Sequence, residues 1–202
     1  MRLIITRHGE TEENKKKIFQ GHLPGKLSKL GIEQIQKLAL RLKNERIDVI
    51  YSSDLARAAN TAKEIGKHHK ETPIHFVKEL REKDLGDYSG KSWHDVASFD
   101  ELINSDSGLN GVESKKDTKI RVRKLLDTVF EKYSKANVLF VGHNGVNKVL
   151  IRMILEEANL SCNLLGSQRN TAVNIFEIRE DKNHKLETFN CAKHLDSQEQ
   201  YE

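Results

Sequence analysis

At 202 residues the chain can bury one sizeable core and is short for two, so a single domain over residues 1–202 is expected. A hydrophobic content of 37% beside 32% charged residues excludes a disordered chain, and no apolar run reaches the length of a membrane span. A formal charge of +4 suits small anionic ligands as readily as nucleic acid, so charge alone does not choose the partner.

Leu3-Ile4-Ile5 reads as a short buried strand running into Arg7, His8 and Gly9. Met1-Arg2 leads directly into it, so no secretory signal is expected. Ile35, Leu38, Ala39 and Leu42 then form one helical stripe, and Ile47 to Tyr51 a second strand. Leu55, Ala58, Ala62 and Ile65 mark a helix with Ser53 or Asp54 placed to cap it. Ile74 to Val77 reads as a third strand. Residues of about 86–113, rich in Gly, Ser, Asp and Asn, read as a lid segment with a short helix near His94 to Ile103. Ser114 with Asp117 resembles a capping box before Val122, Leu125, Leu126, Val129, Phe130 and Tyr133. Val138 to Val141 is a fourth strand, and a helix after Gly145 carries Val146, Val149, Leu150 and Met153. Ala172 to Ile178 and Lys185 to Asn190 flank a polar turn as an antiparallel hairpin, and about 195–202 is a frayed tail. Strands alternating with helices predict an α/β chain, a three-layer α/β/α sandwich on a mostly parallel central sheet. Cys162 and Cys191 have no metal spacing and fit a reducing cytoplasm.

Three strand ends deliver unusual residues: Arg7 and His8, then Ser52 and Ser53 with Arg57, then His143 beyond Gly142. In an open α/β sheet, ligands bind outside the carboxyl ends of strands, so these deliveries can converge. Two arginines, two histidines and a helix N-terminus in one place describe an anion pocket, because the planar guanidinium matches two phosphate oxygens at once. Taken singly, Arg57 reads as a solvated charge and either histidine as a loop residue. Their combination at the ends of buried strands outweighs those readings.

TRHGETEEN resembles the signature of the histidine phosphatase superfamily, in the branch that includes the cofactor-dependent phosphoglycerate mutases. YSSDLARAANTA, LREKDLGDYSG, NGVES and VGHNGVNKVL are similar to four further family blocks in family order, so the resemblance spans about residues 2–175. It implies a phosphoglycerate mutase-like fold and phosphoryl transfer with no metal or other cofactor. His8 is implied as the nucleophile that forms a phosphohistidine, which requires a neutral imidazole with one nitrogen bare. Arg7, Arg57 and His143 are implied to surround the transferred phosphoryl group, and Asn14 to donate a further hydrogen bond to it. Gly9 is implied to let the chain turn tightly beside the nucleophile, and Thr11 to steady the loop. Glu82 matches the family's general acid, which then serves as base on water. By spacing alone Glu79, Asp84 and Asp87 compete with it. Ser53 and Arg81 are weaker candidates for phosphate or supporting contacts, and Gln20, Gly21 and Asn144 complete the candidate binding set.

QGHLPGKLSKLG keeps Gln20-Gly21 but lacks the family's usual aspartate, and GHNG stands where many relatives have SHGG, placing Asn144 at the pocket rim. About fifty residues separate Gly90 from His143, the compact spacing of the family's phosphatases rather than its mutases. A mutase must also shelter a bisphosphorylated intermediate from water, which a larger cover favours. Hydrolysis of a small phosphorylated metabolite is therefore expected, as in the broad-specificity and alpha-ribazole phosphatases that the chain resembles. The alternatives are a mutase-type phosphotransferase and a non-catalytic phospholigand-binding module on the same fold. No nucleic-acid partner is expected, because aromatics do not interleave the basic residues, and no membrane partner; the chain is expected as a monomer or homodimer. Lys15-Lys16-Lys17 reads as a solvated basic face, with contact to a second acidic group of the substrate as the alternative.

Overall fold

Apolar residues follow one another without interruption in the first and fourth strands, so both faces of those strands must be covered. The computed structural model describes residues 1–96, 109–162 and 165–196. Its strands are β1 (Arg2–Arg7), β2 (Val49–Ser53), β3 (Ile74–Val77), β4 (Asn137–Gly142), β5 (Val173–Glu177) and β6 (Lys185–Cys191). They form a six-stranded sheet of order β3-β2-β4-β1-β5-β6. The first four in that order run parallel, whereas β5 is antiparallel to β1 and β6 to β5. The helices are α1 (Glu12–Lys15), α2 (Lys29–Leu42), α3 (Ala56–Gly66), α4 (Lys115–Tyr133) and α5 (Asn144–Glu157).

Strand alternation assigns the two faces. Leu3, Ile5, Val138 and Phe140 pack with Val122 and Leu126 of α4 and Val146 and Leu150 of α5. Ile4, Leu139 and Val141 pack on the opposite face with Leu38 and Leu42 of α2 and Ala58 and Ala62 of α3. Leu3, Ile4 and Ile5 are wholly buried, and each such side chain contributes about 1.5–3 kcal/mol. The expected three-layer sandwich is present.

Several boundaries differ from expectation. β1 reaches Arg7, and β2 begins at Val49 and runs to Ser53, because pairing with β4 continues past the apolar residues. The N-cap of α3 is Leu55 with no side-chain cap, not Ser53 or Asp54. Ser53 is drawn to His143 and Asp54 to Arg81. Ser114 does cap α4, accepting from Asp117 N–H, but its hydroxyl then donates to the Asp117 carboxylate. Of the helix expected near His94 to Ile103, only a 3-10 turn at Trp93–Asp95 falls on described residues; the remainder, the centre of the 86–113 segment and the tail beyond 196 lie outside them. Among the described residues no helix is long and apolar enough to cross a membrane.

Register converts this sheet into a site. Arg7 pairs with Gly142 and Ser52 with Val141, so β1, β4 and β2 end side by side at one edge. The His8 N–H continues the ladder to Gly142 O at 3.1 Å. His8, His143 and Ser53 therefore emerge together, although far apart in sequence.

Candidate active site

His8 is buried at the end of β1, and its Nδ1 lies 2.7 Å from the carbonyl oxygen of Gly9. A carbonyl only accepts, so Nδ1 carries the proton and Nε2 presents a bare lone pair. Burial holds the imidazole well below its ordinary pKa, with Arg57 and Arg7 adding to the effect and the Gly9 bond opposing it. At neutral pH the ring is uncharged. The loop beyond is steadied by Thr11, the N-cap of α1, whose Oγ1 accepts from Asn14 N–H while Asn14 Oδ1 accepts from Thr11 N–H. That use of the amide oxygen leaves Asn14 Nδ2 as the end able to donate to a ligand.

Arg57, in the first turn of α3, is also buried. Its Nη1 donates to Leu23 O at 2.7 Å, Nη2 to Gly21 O at 2.9 Å and Nε to His143 Nδ1 at 3.1 Å. Because a guanidinium only donates, His143 must accept at Nδ1 and carry its proton on Nε2, which donates to Ser53 Oγ at 2.9 Å. Burial first, then Arg57, His8 and Arg7, keep His143 well below the usual imidazole range. The two imidazole centroids are 5.0 Å apart. Arg7 donates from Nη1 to Gln168 O at 2.6 Å, and its Nε is buried with no partner.

Among the described residues, neither Arg7 nor Arg57 forms an ion pair with a carboxylate. Burial pulls each guanidinium down to about 10, opposed by the more distant charge of Glu82, so both stay cationic at neutral pH. Two uncompensated cations beside a neutral nucleophilic nitrogen form a site for an anion with an electrophilic centre. No three His, Cys, Asp or Glu side chains among the described residues group as a metal site.

Glu82 joins the site through α5. Helix α5 has His143 as N-cap without a side-chain cap of its own. The Glu82 carboxylate supplies it, Oε2 accepting from Gly145 N–H at 2.9 Å and Oε1 from Val146 N–H at 3.0 Å. A Cβ on Gly145 would stand 2.5 Å from Glu82 Oε1, so the glycine makes room for the carboxylate.

A family model described as the histidine phosphatase superfamily (branch 1) matches residues 3–191. The chain belongs to the histidine phosphatase superfamily. It is 29% identical to phosphoglycerate mutase-like protein 4 of Arabidopsis thaliana, over 96% of this chain and 86% of that protein. It is 30% identical to the adenosylcobalamin/alpha-ribazole phosphatase of Escherichia coli, over 77% of this chain and 79% of that protein. The solved structure of a mycobacterial glucosyl-3-phosphoglycerate phosphatase in complex with VO3 matches with a TM-score of 0.82 at 27% identity, covering 94% and 98% of the two chains.

Seen as a histidine phosphatase, the chain departs from expectation at Gly9. Gly9 does not adopt a positive φ; it is needed because a Cβ there would lie 2.6 Å from Gly31 O and from Ile35 Cγ2 of α2. Arg81, a candidate for phosphate or supporting contacts, is engaged by Asp54. Its Nε and Nη2 engage both oxygens of Asp54 at 2.6 and 2.5 Å, a two-point pair that satisfies the planar fork. Gly21 acts through its carbonyl on Arg57, and Gln20 is buried beside it with Oε1 unpartnered. Asn144 Oδ1 accepts from Gln168 N–H and Ser167 Oγ, tying the following loop to α5. Lys15, Lys16 and Lys17 are exposed.

That loop is what sequence reasoning overlooked in this histidine phosphatase. Gln168 O holds Arg7, Asn170 Nδ2 donates to His8 O at 2.9 Å, and Thr171 N–H donates to Arg7 O. Its composition, SQRNT, reads as an ordinary polar connection. No sequence signal marks it; in the structure Thr171, a β-branched residue, stands at φ 57, a rare conformation that its surroundings must impose.

Proposed function

We propose that the chain hydrolyses phosphomonoesters of small metabolites without a metal ion, through a phosphohistidine on His8. The observation that carries this reading is the His8 Nδ1–Gly9 O hydrogen bond, which leaves the lone pair on Nε2 of a neutral imidazole, beside two guanidiniums that have no carboxylate partner among the described residues. In the first half-reaction Nε2 attacks phosphorus while the P–O bond to the leaving group breaks. Arg7, Arg57, Asn14 and the His143–Ser53 pair surround the phosphoryl oxygens, and Glu82, entering this step as the neutral carboxylic acid, gives its proton to the leaving oxygen. In the second, water attacks phosphorus, Glu82 takes the water proton, and the P–N bond breaks to release phosphate and neutral His8. The cations that a metal would otherwise supply are the two arginines.

The test is hydrolysis of an aryl phosphate in the presence of EDTA by wild type and by His8→Ala. Turnover by wild type with its loss in His8→Ala is expected. Activity that needs added metal, or that survives the loss of His8, overturns the proposal.

A further inference from the structure

Glu82 is held at both ends. Its carboxylate is tied to α5, while its backbone carbonyl accepts from His22 Nε2 at 2.9 Å and from Arg121 Nη2 at 3.3 Å. Arg121 is otherwise engaged: Nε and Nη2 pair with Glu113 at 2.6 and 2.8 Å, and Nη1 donates to Glu79 O at 2.5 Å. Its contact with Glu82 is the longest it makes, so His22 is the closer restraint. Because a carbonyl only accepts, His22 Nε2 carries the proton, and Nδ1 lies 3.5 Å from Asp84 Oδ2.

His22 stands between Gly21 and Leu23, whose carbonyls grip the two terminal nitrogens of Arg57. One tripeptide thus touches the phosphate clamp through its backbone and the proton donor through its ring. We infer that His22 is a positioning residue that sets the reach of Glu82 to the leaving oxygen relative to Arg57. The inference rests on the hydrolase reading above. Proton donation is sensitive to donor–acceptor distance, and a displacement near 1 Å is enough to cost much of it. Binding of the phosphoryl group itself does not pass through the ring, so it is untouched.

The experiment compares kcat/KM of wild type, His22→Ala, His22→Phe and His22→Gln on phenyl, nitrophenyl and dinitrophenyl phosphate, with inorganic phosphate as inhibitor. The better the leaving group, the less it needs a proton. His22→Ala is expected to lose about tenfold on phenyl phosphate and under about twofold on dinitrophenyl phosphate, with the phosphate inhibition constant unchanged. His22→Phe, which keeps the ring volume without a donor, is expected to match it. His22→Gln, which keeps an N–H donor at similar reach, restores the wild-type dependence on leaving group. A uniform loss across the three esters, no loss, or a Gln variant as impaired as Ala overturns the inference. If wild type turns these esters over and His8→Ala does not, such a result removes the role of His22 alone. If wild type turns none of them over, the hydrolase reading and the inference fall together.

Discussion

His8 donates from Nδ1 to the carbonyl of Gly9, the next residue in the chain, at 2.7 Å. A contact this local makes the tautomer of the proposed nucleophile a property of the loop rather than of a distant partner. It predicts that the phosphorylated intermediate is the Nε2 isomer. Phosphorus NMR of enzyme quenched and unfolded in alkali distinguishes the two isomers, and an Nδ1 phosphohistidine would contradict the assignment.

Three buried imidazoles stay neutral in the fold: His8, His143 and His194, the last pushed down to about 4 by burial and then by Arg41. The unfolded chain binds protons at these residues below about pH 6.5 while the native state refuses them, so stability is complete above that pH and declines as pH falls. The melting temperature is expected to drop between about pH 7 and about pH 5, and His194→Gln to lessen the slope. A melting temperature independent of pH over that interval would show that the native imidazoles accept protons.

Arg57 satisfies two carbonyls and a ring nitrogen at once, which a lysine ammonium on a flexible stem does not reproduce. Arg57→Lys is expected to lower kcat/KM about a hundredfold. It should also destabilise the fold by about 1–3 kcal/mol through the acceptors left buried without a donor. Kinetics with denaturant titration would read both; retention of activity within about threefold would show that charge alone suffices.

Gly31, in α2, lies outside the candidate site residues, yet a Cβ there would lie 1.9 Å from Glu10 O. Gly31→Ala must push back the loop that carries Glu10, Thr11 and Asn14. A stability loss of about 1–3 kcal/mol is expected, with weakened phosphate inhibition. Unaltered inhibition by phosphate would mean that the loop yields without moving Asn14.

Arg81 and Asp54 pair in a partly solvated setting, and the Arg81 hydrogen bond is the main cause that lowers the Asp54 carboxyl pKa. Such pairs contribute under about 1 kcal/mol. Arg81→Gln is expected to leave KM for a phosphomonoester within about twofold. A large rise in KM would place Arg81 in the anion-binding set.

The parallel strands, the helical stripes and the residues at the strand ends were legible because burial on both faces leaves uninterrupted apolar runs, and because arginine beside histidine after a strand is chemically conspicuous. His8, Arg57 and His143 were singled out that way and do converge. Gly9 was identified with the wrong reason, since a sequence shows that a glycine is present but not which backbone approaches it. The engagement of Arg81 is equally illegible in the sequence, because its partner Asp54 lies across a different strand end.

By itself the sequence determined the family, the layered architecture and the chemical groups of the site, since periodicity and residue type are local properties. Only the tertiary structure decided how those groups are used. The tautomers of His8 and His143, the seating of Glu82 on α5, and the grip of Gln168 and Asn170 on the end of β1 all depend on which donors meet which acceptors. All but the His8–Gly9 contact join residues brought together by sheet register and helix packing, and a hydrogen bond exists only where both ends arrive within about 3 Å.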